Sequence, residues 1–260
     1  MISLQTLGIG LIGPGLDSWQ AARQLLQAAE PLYQPGDTII PAPSLLRPNE
    51  RRRTTPTIKL ALAVAEQCVA DAAIDPSDLF TVFASSHGDM QISDSLCRTL
   101  ATKDKPVSPT QFHNSVHNAP AGYWSIATGS RCASTSLAVA DASFPAALLE
   151  AVLQSQSSNS PVMLVCYDYP APFPLSAAAP LTSPFAVAMV VLAAGTKPQL
   201  SLTLGDAEAS VLQHPQLEQI RLGNPAARAL PLLQAIAVGK ATRLSIPYLD
   251  QQLTIELHTI

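Results

Sequence analysis

The chain of 260 residues carries 15 basic and 19 acidic side chains, a formal net charge of −4, and 47% hydrophobic residues. This apolar composition excludes intrinsic disorder, and a sequence pI near 5.7 argues against a nucleic-acid-binding protein, which normally has a basic face. Charged residues make up only 13% of the chain, against about 25% in an average soluble domain. We therefore expect a partner to cover part of the surface.

The four cysteines are scattered, without the CxxC spacing or the neighbouring histidines of a zinc site. We expect no metal, no cofactor and no disulfide framework. The amino terminus lacks the basic segment of a secretory signal, and the longest unbroken apolar run, 185–195, falls short of the roughly 20 residues of a membrane helix. The sequence predicts a cytoplasmic protein with no membrane span.

Apolar runs and turn residues predict alternating strands and helices. In chain order they are strand Leu7–Ile12, helix Trp19–Ala29, a proline-rich loop at 35–48, helix Thr57–Ala73, strand Leu79–Ala84, an irregular loop at 107–117, helix Pro120–Ala127, strand Ser134–Ala140, helix Pro145–Gln154, strand Val162–Tyr167, a loop at 170–184, strands Phe185–Ala193 and Leu202–Leu204, helix Ala226–Val238, and strands Arg243–Ile246 and Leu253–Leu257. Such alternation, with continuously apolar strands, indicates an α/β layered fold with buried sheets. We expect a single domain because no segment is long or polar enough to be a linker.

The segment from Val107 to Ala151 has the most specific pattern. A loop with Ser-Pro and Asn is followed by Ala-Gly, Ser-Ile and Gly, by a strand of small residues, and by a turn into a helix. This order resembles the condensing enzymes, the β-ketoacyl synthases with the thiolase fold, in which a nucleophilic cysteine stands at that turn. The residues that match without a gap are Ser108, Pro109, Asn118, Ala121, Gly122, Ser125, Ile126, Gly129 and Ser134.

The resemblance covers nearly the whole N-terminal half and becomes ragged after about Gly195. It implies a layered, thiolase-like α/β fold that is truncated in its C-terminal half. The corresponding domain organisation is one ketosynthase-like domain over residues 1–260. Within it, 1–195 resembles the N-terminal half and 196–260 is a shortened remnant of the C-terminal half.

The catalytic positions of the family are altered in this chain. Counted from Ala121-Gly122, Asp141 stands at the position of the cysteine, and a carboxylate is a poor acyl acceptor. Asn224 stands where the resemblance places one catalytic histidine, and the segment that would carry the other histidine is almost wholly absent. The resemblance therefore implies that this chain has no catalytic residues.

This combination resembles the short ketosynthase-like chain-length factors of bacterial aryl polyene and related type II polyketide systems. The phrase HNSVHNAPAGYW at 113–124 is its most specific signal. The resemblance implies an inactive subunit that forms a heterodimer with an active ketosynthase and shapes its acyl tunnel in polyene or fatty-acid-like biosynthesis. The implied tunnel or gate residues are Gln111, Phe112, Ser115 and Val116. The implied interface residues are Tyr123, Trp124, Ser134, Leu137 and Val139.

A second interpretation is a stand-alone acyltransferase or thioesterase-like enzyme. It would use Ser143 or Asp141 together with His113 or His117 as the acid–base group. Simpler roles exist for all four residues, since Asp and Ser favour helix caps and the histidines could bond to loop backbone. A homodimeric scaffold is a third interpretation. The inactive subunit is favoured because several positions and a whole segment are lost together.

A basic cluster lies within seven positions of the N-terminal half. Its members are Arg47, Arg51, Arg52 and Arg53. Such clusters are usually solvated. This one could also receive an acidic acyl carrier protein or the carboxylates of a partner.

Overall fold

The computed structural model describes residues 2–28, 33–193 and 199–258. Eight strands form one sheet in the order β3-β2-β4-β5-β1-β6-β8-β7. The strands are β1 (Ile2–Ile12), β2 (Phe80–Ala84), β3 (Ser134–Leu137), β4 (Val162–Asp168), β5 (Phe185–Leu192), β6 (Leu200–Gly205), β7 (Thr242–Tyr248) and β8 (Gln251–Leu257).

The helices lie between these strands. They are α1 (Trp19–Gln27), α2 (Pro48–Arg51), α3 (Pro56–Ala72), α4 (Met90–Leu100), α5 (Pro109–Asn114), α6 (Ala119–Thr128), α7 (Ser143–Ser158), α8 (Leu175–Ala178), α9 (Pro215–Gly223) and α10 (Leu230–Val238). Short 3₁₀ helices occupy Pro76–Asp78, Ala140–Ala142 and Ala226–Ala229.

The sheet consists of two groups of strands, β3-β2-β4-β5-β1 and β6-β8-β7, and β1 connects them. Its residues Gln5–Ile12 pair antiparallel with β5, and its first residues, Ile2–Leu4, pair antiparallel with β6. On one side β5 pairs antiparallel with β4, and on the other β8 pairs between β6 and β7 in the same way. The order β1-β5-β4 of the first group thus recurs as β6-β8-β7 in the second group, and β7 corresponds to β4. The free side of β4 continues into parallel β2 and β3, whereas within the described residues no strand continues the sheet beyond β7.

Helices cover both faces of the first group of strands. Alternate residues of β4 point to opposite faces, so Leu164 packs in a cluster with α1, α7 and α10, and Val165 packs in a cluster with α3 and α6. Every residue of β4 is buried, which explains its continuously apolar sequence. Helix α3 lies directly on β1, because a Cβ atom at Gly10 would stand 2.2 Å from the Val64 carbonyl oxygen.

The predicted α/β layered fold is confirmed, with local corrections. The expected loop at 107–117 contains α5, which Ser108 caps by accepting from the Gln111 N–H. The expected strand Ser134–Ala140 ends at Leu137. Helices α4 and α9 were not predicted, because their polar faces obscure the helical spacing.

Other predicted ends differ by a few residues. The predicted helix Ala226–Val238 begins as a 3₁₀ turn before α10. The last residue of the first predicted helix, Ala29, lies outside the described residues, as does the predicted boundary between 195 and 196.

Candidate functional site

Three parallel strands end side by side at one edge of the sheet. In the ladder Ala84 of β2 is paired with both Leu137 of β3 and Cys166 of β4. The residues that follow these strands therefore lie next to one another. This edge carries the position at which the resemblance places the nucleophile, in the turn between β3 and α7.

The turn between β3 and α7 is sharp and held by one hydroxyl group. Ala140 has a φ of +44°, a left-handed conformation that costs an L-residue roughly 1–2 kcal/mol. The Ser143 hydroxyl donates to the Ala140 carbonyl (2.8 Å) and accepts from the Val139 N–H (3.0 Å). Ser143 is fully buried. Its oxygen thus stabilises the turn instead of facing a substrate.

Asp141 forms an ion pair with Arg228 from the C-terminal part of the chain. Asp141 Oδ2 lies 3.5 Å from Arg228 Nη2, and the side chain of Asp141 is 81% exposed whereas that of Arg228 is 12% exposed. Burial lowers the pKa of Arg228, and the charge of Asp141 counteracts that effect. The neighbouring Arg221 is engaged by both carboxylate oxygens of Glu218. Asp141 is therefore the counter-ion of a largely buried arginine.

A cavity of about 590 Å³ opens at this turn. Its polar lining comes from Asp141, Arg221 and Arg228, and the remaining lining is apolar. The apolar lining residues are Val139, Ala140, Ala142, Ala209, Leu222, Pro247 and Leu249. Among the described residues, the lining contains the Asp141–Arg228 ion pair and no hydroxyl or thiol side chain.

Asn224, at the position of a family histidine, does not line this cavity. Its side-chain amide donates to the carbonyl oxygens of Asp168 (3.3 Å) and Ser183 (2.9 Å), and its Oδ1 accepts from the Ala226 N–H (2.9 Å). Asn224 is fully buried. It connects the start of the Ala226–Ala229 turn to the strands and has no free group for chemistry.

A buried carboxylate that the sequence analysis missed lies at the same sheet edge. Asp168 Oδ1 accepts from the hydroxyls of Ser85 (2.9 Å) and Ser86 (2.7 Å) and from the Ser86 N–H (2.8 Å). Its Oδ2 has no hydrogen-bond partner among the described residues. Burial raises the pKa of Asp168 to about 6, although the Ser86 and Ser85 hydrogen bonds lower it. An Asp that ends a fully apolar strand was the available signal.

The two histidines of the enzyme interpretation lie elsewhere. His117 Nε2 is 3.1 Å from the Ser85 carbonyl oxygen, and the ring of His113 stands edge-on to Tyr123 at 6.4 Å. In the described parts of the chain, neither histidine makes a hydrogen bond or ion pair with Ser143 or Asp141. The structure does not assemble that nucleophile–base pair.

The expectation that Tyr123 and Trp124 serve as interface residues needs correction. Tyr123 is 4% exposed and Trp124 is 1% exposed, and both pack in the cluster under α3. The Tyr123 hydroxyl donates to Asn114 Oδ1 (3.1 Å), and the Asn114 amide donates to the Arg53 carbonyl (2.7 Å). These aromatic side chains hold α5 and α6 in the chain's own core, so they are not available to a partner.

The other predicted interface residues lie at an edge of the sheet. Within the part of the chain that the structure describes, strand β3 pairs only with β2. Ser134 is exposed, and Leu137 and Val139 are half-buried. The position of these three residues is compatible with the predicted interface.

The predicted tunnel residues lie on α5 and just after it. Phe112 is 66% exposed and Val116 is 50% exposed. Gln111 instead donates to Ser95 Oγ on α4 (3.2 Å), and the Ser115 hydroxyl donates to the Phe112 carbonyl (2.8 Å). Phe112 and Val116 are thus the two of the set whose side chains are free to line a space outside this chain.

The basic cluster surrounds α2. Arg51 donates to the Pro43 carbonyl (3.2 Å), and Arg53 lies 3.4 Å from Glu50. Arg47 and Arg52 are exposed. Contact of this cluster with a carrier protein stays a prediction.

Among the residues that the structure describes, no group of three or more His, Cys, Asp or Glu side chains could hold a metal ion. Likewise, no described helix is both long and apolar enough to cross a membrane.

Comparisons with known proteins identify the family and the fold of this chain. A family model described as "Beta-ketoacyl synthase, N-terminal domain" matches residues 19–248. No curated protein matches the chain. A chain of the ketosynthase ApeO in complex with its chain length factor ApeC from Xenorhabdus doucetiae is similar over 98% of this chain and 100% of that chain, at 20% identity and a TM-score of 0.76.

Two other solved structures are similar over their whole length. The ishigamide ketosynthase/chain length factor matches at 12% identity and a TM-score of 0.69, with 99% of each chain covered. AntDE:AntF, described as a type II PKS acyl-carrier protein in complex with its ketosynthase, matches at 11% identity and a TM-score of 0.75, with 100% of each chain covered. At these identities the similarity establishes the ketosynthase-type fold.

The raised pKa of the buried Asp168 predicts how the stability of the protein depends on pH. Its folded pKa of about 6 lies above its ordinary value of about 3.8, so the folded state retains a proton that the unfolded state releases. The stabilisation is complete below the unfolded pKa and is lost as the pH rises through 6. The free energy of unfolding of the wild type, relative to Asp168→Asn, should therefore fall by roughly 1 kcal/mol between about pH 5 and about pH 7.5.

Urea denaturation at several pH values measures this difference. The control is Asp104→Asn, which neutralises an exposed carboxylate and should leave the pH dependence of the wild type unchanged. A constant difference between the wild type and Asp168→Asn would contradict the raised pKa.

Proposed function

Since the chain belongs to the β-ketoacyl synthase family, we propose that it is a non-catalytic subunit of the chain-length-factor type. It forms a heterodimer with an active ketosynthase and shapes that enzyme's acyl tunnel. The pathway is cytoplasmic and builds a polyene, polyketide or fatty-acid-like chain. The proposal rests on the altered centre, on one open sheet edge, and on the exposed face of α5.

The single observation that carries the proposal is the Asp141–Arg228 ion pair. A condensing centre needs a nucleophile and donors that stabilise developing charge, and each such donor is worth about 10²–10³-fold in rate. At the nucleophile position stands a carboxylate whose charge is paired with Arg228 at 3.5 Å. At a histidine position stands Asn224, which is buried and bonded to backbone. Both groups support the fold, so the protein acts by binding.

The two edge strands of the sheet differ in how they are protected. Along β7, the backbone of Ser245 is bonded to Ser210 from a covering loop, and Pro247 two residues on lacks an N–H. Arg243, two residues before Ser245 on β7, adds an exposed charged side chain, which lies 3.8 Å from Glu256 of β8. Loops, proline and charge are the usual protections against edge-to-edge pairing. This edge is closed to a partner strand.

Among the residues with a described structure, none of these protections is found along β3. Residues 132–140 contain no proline and no charged residue. The Ala133 and Leu137 carbonyls accept from β2, so by alternation the backbone groups of Ser134 and Ser136 point outward. An edge of this kind is a template for a strand of another chain. We assign it to the ketosynthase.

The similar structures are consistent with this assignment. Two of them are described as a ketosynthase with a chain length factor, and the third as an acyl-carrier protein with its ketosynthase. A carrier protein is therefore the second candidate partner, with Arg47 and Arg52 as its exposed contacts. We assign the shortened C-terminal half to the second group of strands, in which β7 is the last strand that the structure describes.

The pairing of β3 is tested by Ser136→Pro. Proline removes the outward N–H of Ser136 without touching the bonds to β2, and edge strands tolerate it. We expect the heterodimer to bind at least tenfold more weakly, because one hydrogen bond is lost and the ring blocks the approaching strand. The partner is found by co-expressing this chain with each full-length ketosynthase of the same genome in turn. The measurement is then the Kd of the complex with that partner.

Ser136→Ala is the matched control, since it removes the hydroxyl but keeps the N–H. It should bind as the wild type does. Circular dichroism should show that Ser136→Pro keeps the fold. A Pro variant that is folded and binds with unchanged Kd would exclude β3 as the interface.

The tunnel assignment is tested by product length. Phe112→Ala removes an exposed ring from the proposed tunnel wall, and Ser115→Trp adds bulk beside it. We expect the first to lengthen and the second to shorten the acyl product, because a packed wall does not absorb extra methylenes without strain. Mass spectrometry of the products of the complex measures both. Identical product profiles for both variants would remove α5 from the tunnel.

A further inference from the structure

The hairpin that joins β7 and β8 has an unusual residue at its tip. Tyr248 and Gln251 are paired, so Leu249 and Asp250 form a two-residue turn. Leu249 has a φ of +52°, whereas such turns favour Asn or Gly, which adopt positive φ with little strain. The Leu249 side chain is also 68% exposed. Within this chain Leu249 thus gains neither good backbone geometry nor burial.

Leu249 belongs to an apolar rim around the cavity at the altered centre. Leu222 on α9 is 56% exposed and lines the same cavity, as does Pro247. Asp141 and Arg228 line the same cavity. Exposed leucines around a concave, partly desolvated centre are typical of a binding surface.

This rim is continuous with the open edge of β3. Val139 and Ala140, which line the cavity, follow the end of β3 by two and three residues. A chain that pairs along Ser134–Leu137 and continues in the same direction reaches the rim next. Leu222, Pro247 and Leu249 form an apolar surface on this rim, beside the charged Asp141, Arg221 and Arg228 of the lining and the exposed Asp250 of the hairpin. The leucines therefore match an apolar group on the complementary surface.

We infer that Leu249 and Leu222 are apolar anchors for the ketosynthase subunit. An apolar side chain of that subunit enters the cavity between them and covers the Asp141–Arg228 pair. In the complex this contact buries the Leu249 side chain, which is exposed in the free chain. This inference rests on the proposed function and extends the interface from β3 to the C-terminal part of the chain.

The test uses a substitution with opposite effects on the free chain and on the complex. Leu249→Asn relieves the positive-φ strain and removes an exposed leucine, so the melting temperature of the isolated chain should rise by about 2 °C. In the complex it removes an anchor, so the Kd for the ketosynthase should rise at least tenfold. Leu222→Ala, which lies in a helix and relieves no strain, should weaken the complex without stabilising the free chain.

The matched control is Val211→Asn. Val211 is 67% exposed but lines a different groove, beside α10, and its replacement should leave the Kd unchanged. If the wild type forms the complex and both leucine variants bind as it does, the inference is wrong while the proposed function stands. If the wild type binds no ketosynthase, the proposed function itself fails.

A second copy of this chain is the competing occupant of the rim. Light scattering on the isolated protein distinguishes the two. A monomer at micromolar concentration supports the inference, and a homodimer that Leu249→Asn dissociates would overturn it.

Discussion

The covering of the first group of strands by helices on both faces is the constraint on which the rest of the structure depends. Strand β4 is buried along its whole length, and α3 contacts β1 closely enough that Gly10 has no room for a side chain. A sheet enclosed in this way can extend only through its edges. One edge, β7, is protected by a loop, a proline and a charge. The other, β3, is open within the described residues, and this asymmetry is the basis of the proposed pairing with a ketosynthase.

The altered centre keeps the sharp turn between β3 and α7, with Asp141 at the position where the resemblance places the nucleophile. Ala140 retains a left-handed backbone, and Ser143 uses its hydroxyl to hold it. A strained turn persists only when its surroundings hold it in place. Here the turn positions the end of β3 and presents Asp141 to Arg228. The same geometry that would present a nucleophile thereby joins β3 to the C-terminal part of the chain.

The sequence predicted the elements whose signal is local and strong. Apolar runs located β4 and β5, and the alanine-rich segment after Pro56 located α3. It failed where tertiary contacts decide: α5 forms because Asn114 and Gln111 are bonded to other elements. Aromatic residues with a predicted interface role, Tyr123 and Trp124, are buried instead, since a pattern of residue types does not show which face a helix buries.

At the site, the sequence identified the altered positions but not their contacts. Asp141 was found by counting from the Ala121-Gly122 motif, and Asn224 by its place after Gly223 at the start of the alanine-rich helix. Their partners come from elements distant in the chain, and no local signal indicates that Arg228 is the counter-ion. The carboxylate of Asp168 was missed because only the fold brings it against Ser85 and Ser86.

The central claim is that all the chemistry belongs to the partner. It is tested most directly by assaying chain elongation in the purified complex after two substitutions made separately. One replaces the catalytic cysteine of the ketosynthase by alanine, and the other is Ser143→Ala in this chain, with complex formation verified for each. We expect the first to abolish elongated product and the second to retain it. Elongation that survives without the ketosynthase cysteine, or that is lost with Ser143→Ala in an intact complex, would contradict the account.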